Sequence, residues 1–123
     1  MVSNLMSLGI SDLLSLMDKK EISAREYAVE LSEKVLSENH LNTIQSFSKD
    51  LLLKEADLAD QKRQSNLGGS LCGIPFIAKD NINSKNFPTT AGTKALLVNT
   101  TSTNATAIDK LLHEDAILGA KAN

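Results

Sequence analysis

The sequence predicts an α/β fold, with helices packed on a β-sheet that the chain begins and does not complete. Three observations carry this prediction. Apolar residues fall at helical spacing through most of residues 11–62. From residue 71 onward, short apolar runs alternate with polar loops. The chain then stops directly after the second such run, before the sheet has the covering that a parallel sheet requires. This divides the chain into an N-terminal helical segment, 1–66, and the start of an α/β core, 67–123, in strand–loop–helix–strand order.

Ser11 and Asp12 are good cap residues, and Leu13, Leu14, Leu16 and Met17 follow them, predicting a helix over 11–19. Ser23-Ala24-Arg25-Glu26 is a capping box that opens a second helix reaching residue 38. Ala28, Leu31, Val35 and Leu36 form its apolar stripe, and Glu30 and Lys34 pair on the outer side. Residues 39–42 are a turn, and Thr43–Phe47 alternates as a short strand would. Residues 51–62 are helical again, with Leu51, Leu52, Ala56 and Leu58/Ala59 inward. Residues 64–70 hold Gly, Ser and Asn and form a loop.

Ile74–Ala78 is a continuous apolar run, consistent with a strand buried on both faces, with Pro75 at its start. Residues 83–104, rich in Asn, Thr and Ser, are an extended loop with one helical turn at 94–97. A connection this long is usually functional or disordered. Residues 105–113 fit a helix with Ala105, Ile108, Leu111 and Leu112 inward, and 115–119 a second strand. A helix between two buried strands outlines a parallel crossover.

Composition narrows the function. The 123 residues are enough for one domain with a modest core, built from aliphatic side chains because aromatics are only 3%. The net charge of −2, with no basic cluster beyond Lys62-Arg63, argues against direct nucleic-acid binding. Cys72 is the lone cysteine, which fits a reducing, cytoplasmic setting. His40 and His113 lack a second ligand at metal spacing. The N-terminal MVSNLMSLGI has no basic region and is not expected to be a secretion signal, and no apolar run spans a bilayer.

The chemistry centres on Lys79. It follows the run Ile74–Ala78 and precedes Asp80 and Asn81. At the carboxyl end of an interior strand it would stand where open α/β sheets bind ligands. Loss of hydration there favours the neutral amine, which can accept a proton from a serine hydroxyl. The plain alternative is a strand-ending lysine in solvent, or paired with Asp80. Gly68-Gly69-Ser70 resembles a nucleophile on a glycine loop but reads more simply as a flexible lead-in to the strand. Cys72 reads as a small buried hydrophobe. Thr89, Thr90 and Gly92 offer hydroxyls and close backbone approach, or ordinary turn chemistry.

Leu71–Ile82, followed by Pro88-Thr89-Thr90-Ala91-Gly92-Thr93, resembles the amidase signature family, most closely the A-type chains of glutamyl-tRNA(Gln)/aspartyl-tRNA(Asn) amidotransferases. Glu21-Ile22-Ser23, Ala105-Thr106-Ala107 and Ile117–Asn123 extend the likeness along nearly the whole chain. In the last of these, Ala120 and Ala122 replace Gly and Thr of the family's Gly-Lys-Thr-Asn run. The resemblance implies helices on a mixed sheet, and it implies that Lys79 is the general base of a Ser-cisSer-Lys triad. The Gly/Ser-rich signature that supplies both serines is expected downstream of residue 123, so the chain alone should be inactive. The implied reaction is glutamine hydrolysis, supplying ammonia for transamidation of Glu-tRNA(Gln) or Asp-tRNA(Asn). B- and C-type subunits are the implied partners. ATP and Mg are expected at one of these partners and not in this chain, with tRNA bound only through a partner. A general small-amide amidase, or a non-catalytic truncated module, stays open on the same residues.

Overall fold

The computed structural model describes residues 4–123. Residues 1–3, part of the N-terminal stretch read above for a secretion signal, lie outside the described residues.

Helix α1 (Ile10–Asp18) buries Leu13 and Met17, four residues apart on one face. Helix α2 (Ala24–Ser37) begins at the capping box. Ser23 Oγ accepts from the Glu26 backbone N–H at 3.0 Å, and Glu26 Oε2 accepts from that of Ser23 at 2.7 Å. Asp60 caps the same helix start from outside, accepting from the Ala24 and Arg25 backbone N–H groups. The buried face is rotated from the predicted stripe: Ala24, Ala28 and Ser32 are buried, while Leu36 is 56% exposed. Small residues on this face let the two backbones of α2 and the next helix come close. Ser32 donates its hydroxyl to Val29 O at 2.7 Å, so its burial leaves no polar group unpaired. That next helix, α3 (Lys49–Gln64), exceeds the predicted 51–62 at both ends, with the Ser48 hydroxyl capping Leu51 N. Its inner face is Leu52, Ala56 and Ala59, and Leu58 faces solvent.

The sheet has three strands, β1 (Ile44–Phe47), β2 (Pro75–Lys79) and β3 (Ile117–Ala122), in the order β1-β3-β2. β3 pairs parallel to β2 and antiparallel to β1, so the sheet is mixed and the predicted crossover through α4 (Thr106–His113) is present. β1 comes from the helical segment and β3 from the end of the chain, so one sheet ties the two together. β3 starts and ends later than the predicted 115–119 and is buried along nearly all its length. Ile117 joins a core of Leu13, Met17, Ala28, Leu52 and Ala56 from α1–α3, and its neighbour Leu118 joins a second core of Ala78, Phe87 and Ile108. Successive side chains point to opposite faces of a strand, so both faces of β3 are covered.

β2 departs from the sequence expectation. It lies at the sheet edge and is covered on one side only: Ala78 is buried, whereas Ile77 is 46% exposed and Lys79 is exposed. The apolar run has the composition of a doubly covered strand, but no described element packs on its second face. Gly73, at φ +86°, turns the chain into β2, and a Cβ there would meet that of Ala24 at 2.8 Å.

Candidate functional site

Lys79 stands at the carboxyl end of β2, as predicted, although as the strand's last residue and not just beyond it, and it is not sheltered. With a side-chain period of two, Ile77 and Lys79 share the outward face, while Ala78 and Asp80 turn inward. The expectation of a low-dielectric setting for Lys79 rests on β2 being an interior strand. An edge strand with one uncovered face leaves the amine in water.

The segment after Lys79 is tightly held. Asp80 N donates to Ala122 O at 2.9 Å, which continues the β2–β3 ladder by one bond. Ile82 N donates to Lys79 O at 3.0 Å, closing a turn over residues 79–82, and Ala91 N donates to Asp80 O at 2.9 Å. The Asp80 side chain is 2% exposed. Its Oδ2 accepts from both the backbone N–H and the hydroxyl of Thr90. Thr90 Oγ1 in turn accepts from Gly92 N at 3.2 Å. Thr89 and Thr90, singled out in the sequence, are therefore buried polar groups that serve the strand end.

Sequence reasoning passes over the residue opposite. Lys121 is 0% exposed, and its Nζ lies 3.4 Å from Asp80 Oδ1 and 3.3 Å from both Pro88 O and Thr89 Oγ1. A signal for it is present: a single lysine inside the apolar stretch Ala116–Ala122 of a central strand must be buried with a partner. Choosing Asp80 as that partner requires the β2–β3 register.

The other candidates fall elsewhere. Gly68–Ser70 lies before the start of β2, at the opposite end from Lys79. Gly69 N donates to Asp115 Oδ2 at 2.8 Å, and Ser70 donates its N–H and hydroxyl to Glu114 Oε2 at 3.0 and 2.7 Å. A Cβ at Gly69 would stand 2.7 Å from the Glu114 carbonyl, so the glycine permits this close approach. These bonds hold both carboxyls below their usual pKa. The hydrogen bond from the Lys62 ammonium acts most strongly on Asp115, and that from the Ser70 backbone N–H most strongly on Glu114. Ser70 is thus part of a loop clamp. Cys72 is buried, burial pushes its thiol up, and Sγ contacts Ala59 O at 3.5 Å. His40 and His113 are exposed at a 3-10 turn and at the end of α4. Among the described residues no group of three or more His, Cys, Asp or Glu could hold a metal ion, and no helix is long and apolar enough to cross a membrane.

A family model described as amidase matches residues 29–123, which contain β1 to β3, the Lys79 turn and the threonine loop. The chain belongs to the amidase family. Over 120 residues it is 35% identical to the A-type chain of the glutamyl-tRNA(Gln) amidotransferase of Thermoanaerobacter pseudethanolicus, covering 97% of this chain and 25% of that protein. It is also 33% identical over 115 residues to an indoleacetamide hydrolase of Allorhizobium ampelinum, covering 94% of this chain and 24% of that one. Among solved structures, the native peptide amidase from Stenotrophomonas maltophilia superposes with a TM-score of 0.89 at 26% identity, over 95% of this chain and 25% of that one. The chain therefore spans about a quarter of the length of the amidase-family relatives it matches, and its fold is a part of theirs.

Proposed function

We propose that this chain is the N-terminal part of a glutamine-hydrolysing amidase and that Lys79 is its general base. The observation that carries the reading is the position of Lys79, the last residue of β2, with its turn fixed by Asp80 and its side chain on the uncovered face. The amine would take the proton of a bridging cis-serine as that residue takes the proton of the attacking serine. The serine adds to the amide carbonyl; as the C–N bond breaks, the proton held on Lys79 passes back through the cis-serine to the leaving nitrogen, ammonia departs, and water hydrolyses the acyl-enzyme to restore the serine. Both serines would come from the part of its relatives that this chain does not span. Exposed Ile77 beside Lys79 supports a face that is covered in the working enzyme, where lost hydration would favour the neutral amine.

The likeness to the amidotransferase chain supports glutamine as the amide and B- and C-type subunits as partners. On this reading ATP and Mg would act at a partner, which would also hold the tRNA, in a cytoplasmic setting. A second reading, a general small-amide amidase, is favoured by the likeness to the indoleacetamide hydrolase.

The test is reconstitution. The chain is coexpressed with the complementary remainder of the Thermoanaerobacter pseudethanolicus A-type chain and its partner subunits, and ammonia release from glutamine is followed. The chain alone should release none. The reconstituted enzyme should show saturable release, and Lys79→Ala should lower it by about 10²–10⁴-fold. Undiminished activity in Lys79→Ala, or saturable glutaminase activity from the chain alone, would refute the proposal. Hydrolysis of indole-3-acetamide in preference to glutamine would favour the second reading.

A further inference from the structure

Lys121 occupies a place where an aliphatic side chain would be the simpler choice. It sits between Ala120 and Ala122 on the central strand, with cores on both sides. Burying an ammonium forfeits its hydration, and replacing a buried ion pair by apolar residues is often neutral or stabilising. Packing alone therefore does not account for a lysine here. Its contacts show what the charge does. Three segments converge on Nζ: β3 itself, Asp80 immediately after Lys79, and the 88–89 stretch of the long loop.

The network combines hydrogen bonds with one ion pair. Thr89 Oγ1 accepts from Lys121 Nζ and donates to Ile82 O at 3.5 Å, on the turn that Lys79 begins. Asp80 Oδ2 is engaged by Thr90, while Oδ1 has no hydrogen-bond partner and forms an ion pair with the ammonium at 3.4 Å. The Asp80 carboxylate is thus held between a loop on one oxygen and a charge on the other. Apolar packing around the same atoms would tolerate sliding and rotation. The hydrogen bonds from the ammonium to Pro88 O and Thr89 Oγ1, and from Thr90 to the Asp80 carboxylate, restrict both, and the ion pair draws the two charged ends together.

We propose that Lys121 is a positioning residue for Lys79: its buried ammonium locks Asp80 and the 88–90 loop together and so sets the direction in which Lys79 leaves the end of β2. The inference rests on the proposed role of Lys79 only for its purpose, because the geometry can be read without any amide hydrolysis.

The test uses the 123-residue chain and its Lys121→Met and Thr89→Val variants. Lys121→Met removes the charge at similar length. Thr89→Val removes one hydroxyl partner and leaves the Lys121–Asp80 pair in place, so it serves where Lys121→Met does not fold. Folding is followed by circular dichroism, and amide exchange by NMR. Reductive methylation of Lys79 is measured against that of exposed Lys94, which sits in the loop and touches none of these groups. In Lys121→Met the Asp80 and Ala91 amides should exchange about tenfold faster. The Lys79-to-Lys94 methylation ratio should change by about threefold, because Lys79 directly precedes Asp80, the residue that Lys121 pairs. Thr89→Val should move the ratio in the same direction by less. A folded variant with a lowered melting temperature and an unchanged ratio would overturn the proposal and leave Lys121 a purely structural pair. An error in the base assignment would show instead as ammonia release that survives Lys79→Ala, with the methylation result intact.

Discussion

Lys79 and Lys121 are two lysines at neighbouring strand ends with opposite surroundings. Lys79 pairs in register with Ala122, and Lys121 with Ala78. One amine faces water from an uncovered strand face, and the other is enclosed with a carboxylate. At this scale single atoms decide outcomes. Gly73 is a second case, since its φ of +86° and its 2.8 Å approach to Ala24 exclude a side chain. Gly73→Ala should destabilise the chain by about 1–3 kcal/mol, through a strained backbone and a displaced α2 N-terminus. The check is the urea midpoint against the parent, where an unchanged midpoint counts against the close approach.

Among the elements, α2 shows local chemistry and tertiary packing acting on different features. The box Ser23–Glu26 is local and starts the helix where the sequence says it should. Ser23→Ala should cost ~1 kcal/mol. The loss should appear in equilibrium unfolding and be smaller than for an isolated helix, because Asp60 also caps Ala24 and Arg25. Which face α2 buries is set by α3, whose approach favours Ala24, Ala28 and Ser32 over Leu36. Periodicity locates the helix but does not rank its apolar residues against a small-residue contact. β2 repeats the lesson. Its extent is legible in the run Ile74–Ala78, whereas its edge position depends on where β3 pairs.

For the whole molecule, the 68–70 loop is joined to the end of α4 by carboxylates. The Lys62 ammonium and the Gly69 N–H hold the Asp115 carboxyl below its usual range, and Ser70 does the same for Glu114. Groups with depressed folded-state values stabilise the fold above their unfolded values, about pH 4, and lose that contribution as pH falls through the folded values. The Lys62 ammonium, raised chiefly by its hydrogen bond to Asp115, contributes below its unfolded value near pH 10 and loses that contribution as pH rises through its folded value. The clamp therefore acts between about pH 4 and pH 10. Urea midpoints should fall as pH drops below about 5 in the parent, and Asp115→Asn should flatten that fall. An identical acid slope in the variant would show that the clamp carries no pH-dependent stability.

The sequence by itself determined where helices and strands lie, the parallel crossover and the capping box, because these follow from spacing and local hydrogen bonding; its resemblance to the amidase signature is what singles out Lys79. The tertiary structure alone decided the strand order β1-β3-β2, the exposure of Ile77 and Lys79, and the burial of Lys121 against Asp80. The physical reason is that burial and pairing belong to whatever lies across the sheet. For Lys79 no described element covers the strand, while for Lys121 the partner carboxylate lies 41 positions earlier in the chain.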